Sequence, residues 1–143
     1  MNDARDAFRG NPAVSLQFDQ PDRRYRPRQP LGVRYRVEVA PDERMRAVEH
    51  SVLWYTEGKG EEDLGIHFFE RITERARFRS TVADGEFATH LPVSPLSYEG
   101  VIVKVRWCVR VRVFFEGGRD FVSEHVFELG HIPPARMPRE RTP

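Results

Sequence analysis

The chain is poor in cysteine: Cys108 is the only one in 143 residues. That excludes an internal disulfide and a cysteine-rich zinc site. Lysine is nearly absent too, with only Lys59 and Lys104, so the positive charge is almost all arginine. Long apolar runs are missing. The most apolar stretch, 101–115, is broken by Lys104, Arg106, Arg110 and Arg112, short of the roughly 18 uncharged residues a membrane span needs. Met1 to Asp6 are mostly polar or charged, without the apolar core of a signal segment. The expectation is a cytoplasmic protein with no membrane span.

Excess charge is also lacking. The net charge is +1, so a global basic field for nucleic acid is excluded and a charged partner must meet a local patch. Catalytic fingerprints are absent: there is no GxSxG, no Walker lysine motif and no dinucleotide fingerprint. His50, His67, His90, His125 and His131 are scattered, with no HxH or HExxH spacing. Glu61-Glu62-Asp63 lacks the alternating ligand spacing of a calcium loop. Cys108 sits in mid-strand without a nucleophile signature and reads as a packed side chain. These absences predict no enzyme, no metal and no cofactor.

What is present is strand. Val14, Leu16 and Phe18 share one face of a first strand at Ala13–Phe18. Pro21, Pro27 and Pro30 then break the ladder around Tyr25, since proline has no N–H to give; a turn or edge excursion is expected. Leu31, Val33, Tyr35, Val37 and Val39 alternate with polar or small residues, which predicts one buried and one wet face. Ala47 to Thr56 is a mixed strand, with Val48, Val52 and Trp54 opposite Ala47, Leu53 and Tyr55. Residues 57–65 read as a polar, glycine-rich loop. Ile66–Ile72 and Gly85–Leu91 are further strands, and 73–79 is expected to be an exposed strand or bend rather than a helical turn. Val101–Phe115 reads as one long strand, and Gly117-Gly118 as the hairpin turn into Phe121–Leu129. About seven short strands and almost no helix indicate an antiparallel, immunoglobulin-like β-sandwich over 13–130. Residues 1–12 are expected to form a flexible arm. The tail 131–143, with four prolines and three arginines, is expected to be disordered.

Leu91-Pro92, Pro95 and Ser97-Tyr98-Glu99-Gly100 lead into Val103-Lys104-Val105-Arg106-Trp107-Cys108-Val109. This stretch resembles the arrestin superfamily, which carries a proline-rich approach, a Ser–aromatic–acid–Gly step and a strand with a central aromatic. Tyr25-Arg26-Pro27 before Leu31-Gly32-Val33 is similar to that family's entry into its second strand. There the family has glycine after the proline, and this chain has Arg28. The resemblance implies one arrestin-like β-sandwich of a bacterial type, acting as a protein-binding adaptor with no catalytic residue. The family carries two such sandwiches in tandem, so tail-borne phosphate sensing across two domains is not implied.

Two surfaces stand out. Lys104, Arg106, Arg110 and Arg112 fall on one face of the long strand, and Arg34 and Arg36 point outward from the second. Arginine's planar fork suits carboxylate and phosphate. Such a stripe fits an acidic or phosphorylated partner, or a solvated face paired with Glu38, Glu49, Glu124 or Glu128. Trp54-Tyr55 and Phe68-Phe69 are adjacent aromatic pairs, so one member of each points away from the core unless covered. The leading expectation is a non-catalytic adaptor that binds a protein partner, or another copy as a homodimer, through a sheet edge or the arginine face. The alternative is a small-ligand or carbohydrate-binding sandwich using Trp54 and Tyr55.

Overall fold

Period-two alternation becomes two sheets facing each other in the structure, a computed structural model describing residues 10–78 and 80–130. The strands are β1 (Ala13–Phe18), β2 (Arg24–Tyr25), β3 (Pro30–Glu38), β4 (Met45–Gly58), β5 (Leu64–Ile72), β6 (Val82–His90), β7 (Tyr98–Glu99), β8 (Val103–Phe115) and β9 (Asp120–Leu129). The small sheet has the order β1-β3-β6. The large sheet runs β2-β9-β8-β4-β5, with β7 added on β8. All pairings are antiparallel except β2 with β9. No helix among the described residues is long and apolar enough to cross a membrane.

The core lies between the sheets. Leu31, Val33, Tyr35 and Val37 come from β3, and Trp107, Val109, Val111, Val113 and Phe115 from β8. Trp107 is fully buried and donates its indole N–H to the Pro95 carbonyl at 2.7 Å. The breaker region around Tyr25 is the edge excursion expected: β2 edges the large sheet, and the Tyr25 ring packs between Phe18 and Phe127. Its hydroxyl donates to Asp19 at 2.5 Å and accepts from the Gln20 N–H at 3.2 Å. The hairpin at Gly117-Gly118 is present, with Gly118 at φ 91°.

Several boundaries differ from the sequence expectation. Val101 and Ile102 are not part of the core rib: Val101 is 97% exposed and β8 starts at Val103. Residues 75–78 form a 3-10 turn, Arg75–Phe78, instead of an exposed strand or bend. β5 and β6 begin earlier than expected, which takes Gly65 from the loop into its strand and Gly85 from the start of its strand to the interior. Most of the arm and all of the tail, residues 1–9 and 131–143 with His131, lie outside the described residues, as does Arg79.

Candidate functional site

β4 and β8 are the two central strands of the large sheet, and their odd and even positions are sorted by the ladder. Val48, His50, Val52 and Trp54 stand opposite Val113, Val111, Val109 and Trp107 and face the core. Glu49, Ser51, Leu53, Tyr55 and Glu57 stand opposite Arg112, Arg110, Cys108, Arg106 and Lys104 on the outer face. The arginine stripe is therefore on one face, as its spacing predicts.

Each stripe cation has a carboxylate. Lys104 lies 3.5 Å from Glu99, and Arg106 lies 3.0 Å from Glu57 and 3.1 Å from Glu99. Arg110 pairs with Glu124 at 3.1 Å and Arg112 with Asp120 at 2.6 Å. On the small sheet Arg34 pairs with Glu86 at 3.4 Å and Arg36 with Asp84 at 2.8 Å. Hydrogen bonds that Arg106 and Arg36 donate to Glu57 and Asp84 raise the pKa of both arginines. Solvent-exposed pairs of this kind hold little free energy.

Between the charged rows runs a row the sequence did not reveal. Ile66 of β5, Leu53 of β4, Cys108 of β8 and Val126 of β9 are ladder neighbours across four strands. Leu53 and Cys108 are fully buried although they lie on the outer face. Burial also pushes the Cys108 thiol up to about 12, so it is no ready nucleophile.

At β5 this row meets an open edge. The ladder shifts between Val52 and Leu53, where Val52 pairs with Phe68 and Leu53 with Ile66, leaving His67 as the extra residue of a bulge. A bulge resets parity, so Leu64, Ile66 and Phe69 end on the same outer face. They are 52%, 59% and 51% exposed. Period-two counting from Phe69 would have turned Ile66 inward. Phe68 faces in and stacks with His50 and Phe87. Trp54 is half-buried, packed on the core over Gly65, and Tyr55 is half-buried beside Arg106. The exposed ring of these pairs is Phe69, not Trp54 or Tyr55.

His50 carries the buried polar chemistry. Its Nδ1 lies 2.7 Å from the Tyr35 hydroxyl and its Nε2 lies 3.1 Å from Glu70. This is consistent with a neutral ring that accepts from Tyr35 and donates to Glu70. Burial lowers the His50 pKa, against the opposing pull of Glu70, and pushes Tyr35 up to about 12. A histidine with a carboxylate is a catalytic pairing in a cleft. Here the ring is 2% exposed and stacked 4.4 Å from Phe87, so a substrate has no access to it. A second contact joins Ser123 Oγ to His125 Nε2 at 2.7 Å, and no carboxylate among the described residues bonds the other ring nitrogen. His67 bonds the His90 carbonyl at 2.7 Å. Among the described residues no three metal-ligating side chains cluster.

No family profile and no curated protein matches the chain. Among solved structures it is similar to the sporulation control protein Spo0M from Bacillus subtilis, at 14% identity and a TM-score of 0.60. The match covers 86% of this chain and 51% of that one, so the chain spans about half the length of Spo0M. At that identity the likeness carries the fold alone, and with the sheet order above it makes this chain an arrestin-like β-sandwich.

Proposed function

We propose that the chain is a non-catalytic protein-interaction module that adds a strand along β5, with a second copy of itself as the occupant. The observation that carries this is the β5 edge: one side of the strand pairs with β4, its other side has no strand partner among the described residues, and Leu64, Ile66 and Phe69 stand exposed beside it. Natural edges are blunted with charge, proline or brevity. β6, the neighbouring edge of the small sheet, follows that rule with Asp84 and Glu86. β5 does not, because Leu64–Ile72 has no proline and its two formal charges, Glu70 and Arg71, cancel. Strand addition supplies main-chain hydrogen bonds, and alternate side chains supply specificity. The apolar row from Ile66 to Val126 gives a partner side chain somewhere to lie. The arginine face contributes less to this reading, since its cations already hold carboxylates. The half-buried Trp54 and Tyr55 give a sugar-binding platform no support.

Sedimentation velocity over a concentration series tests it. A reversible dimer is expected, and Ile66→Lys with Phe69→Lys should shift it to monomer while the melting temperature stays within a few degrees. A wild-type chain that stays monomeric at all concentrations, or a double variant that dimerises as well as wild type, rejects the proposal.

A further inference from the structure

A concentration of positive charge lies at the far end of the sandwich from the β5–Val126 row. Arg44, Arg46, Arg71 and Arg75 line one cavity of about 720 Å³ together with Thr73 and Glu116. Four arginines thus line a single concavity in a chain whose net charge is only +1. On the sheet faces Arg34, Arg36, Arg106, Arg110 and Arg112 are each matched by an acid. Here Arg71 has Glu49 at 2.7 Å, whereas Arg44, Arg46 and Arg75 have no carboxylate partner among the described residues. Glu116 lines the cavity but forms no ion pair with them.

The fold builds this grouping. β4 opens with a bulge: Met45 pairs with Phe115 and Ala47 with Phe114, so Arg46 is the extra residue and its side chain is re-aimed. Arg46 and Arg71 then share one aromatic platform, with guanidinium carbons 5.9 and 4.7 Å from the Phe114 ring centroid. Arg44 is held by its carbonyl, which accepts from the Glu116 N–H at 2.9 Å. Arg75 arrives on the 3-10 turn after β5. Like charges that outnumber the acids beside them cost free energy in the empty protein and are relieved by an anion. Guanidinium forks fit phosphate oxygens two at a time, and a concavity of this size takes a small ligand.

We propose that this cavity is a binding site for a small, multiply charged phosphate compound, held by Arg44, Arg46 and Arg75 with Arg71 at its wall. Arginine is needed rather than lysine because several oxygens of one compact anion must be met at once. The cavity touches β5 only through Arg71, near the strand's end, while Arg44, Arg46 and Arg75 lie off that strand, so variants at those three test this proposal without altering the β5 edge.

The test uses the full chain, inorganic pyrophosphate as probe and titration calorimetry at low ionic strength. Pyrophosphate is expected to bind and to raise the melting temperature. Arg44→Gln with Arg75→Gln should weaken binding by about tenfold or more, given the usual worth of charge-assisted hydrogen bonds. Arg46→Gln alone is a second variant with the same direction. Arg26→Gln removes an equally exposed arginine outside the cavity and should leave affinity unchanged. Melting temperatures without anion confirm that each variant is folded. The proposal is overturned if pyrophosphate does not bind, or if Arg26→Gln costs as much as the cavity variants. Equal competition by an oligoglutamate peptide also overturns it, in favour of an acidic protein segment.

Discussion

His50 spans the gap between the two sheets with both ring nitrogens in use. Tyr35 belongs to the small sheet and Glu70 to the large one, so the ring is a polar bridge inside an apolar core. Its cost is a ring that must stay neutral. Burial lowers its pKa, and the unfolded chain takes up a proton near the ordinary histidine value. Between those two values the unfolded state binds more protons, so stability rises with pH there. Stability is full above the usual histidine range and falls as pH drops below it. His125, also lowered by burial and by Arg23, acts in the same direction. The denaturant midpoint should therefore fall between about pH 8 and about pH 5. His50→Gln should flatten part of that slope, and adding His125→Gln should flatten most of it. A slope unchanged in the double variant would assign it to carboxylates. The five histidines were legible as residues but not as roles, because which face His50 takes depends on the register of β4. Arg28 shows the converse. It adopts φ 68° in a turn closed by the Gln29 N–H on the Arg26 carbonyl, the conformation that glycine serves in the arrestin-type entry. The motif was readable there although its usual residue was not.

At the scale of strands, two glycines explain how large rings fit beside the sheets. Gly85 stands opposite Tyr35 across β3–β6, and Gly65 stands opposite Trp54 across β4–β5. A Cβ at Gly85 would come 2.2 Å from the Tyr35 ring, and one at Gly65 would come 2.3 Å from the Trp54 indole. Each ring lies over its glycine and occupies the space of the missing side chain. Gly85→Ala should cost about 1–3 kcal/mol by overpacking, measured by equilibrium denaturation, and should cost less when Tyr35 is shortened to Leu. Gly65→Ala should behave the same way with Trp54. Equal cost in both backgrounds would mean that backbone conformation, not the ring, sets the need for glycine. Sequence alone placed Gly65 in the preceding loop and Gly85 at the start of its strand, because glycine ordinarily punctuates a strand. The alternating strands β1, β3 and β8 were legible because one face of each is wet. β4 and β5 were less so: β4 is buried on both faces near Leu53, and the bulge at His67 breaks the period. The apolar row, and with it the edge proposed as the interface, depends on that bulge and was hidden for the same reason.

The path of the chain decides how the whole molecule holds together. It changes sheet between β1 and β2, between β2 and β3, between β3 and β4, between β5 and β6, and again between β6 and β7. No sheet is built from one continuous stretch, so neither can complete its ladder before the other is in place. The contacts between them are also shared: Phe18 of β1 meets Phe127 of β9, and Tyr35 of β3 meets His50 of β4. Such a sandwich should unfold in one step, with the slow folding expected of mostly non-local pairing. Leu31 on β3 and Leu129 on β9 are both fully buried and lie in different sheets. Each change to Ala should cost about 2–5 kcal/mol. Trp54 and Trp107 report on the large sheet by fluorescence, and amide exchange on β3 reports on the small one. Leu31→Ala should move the tryptophan midpoint as far as it moves the exchange of β3, and Leu129→Ala should do the same in reverse. If either substitution loosened only its own sheet, the sheets would be separable units. A partner strand on β5 would then stabilise the large sheet alone. If both probes move together, adding a strand at β5 must stabilise β1, β3 and β6 as well, across the whole thickness of the sandwich.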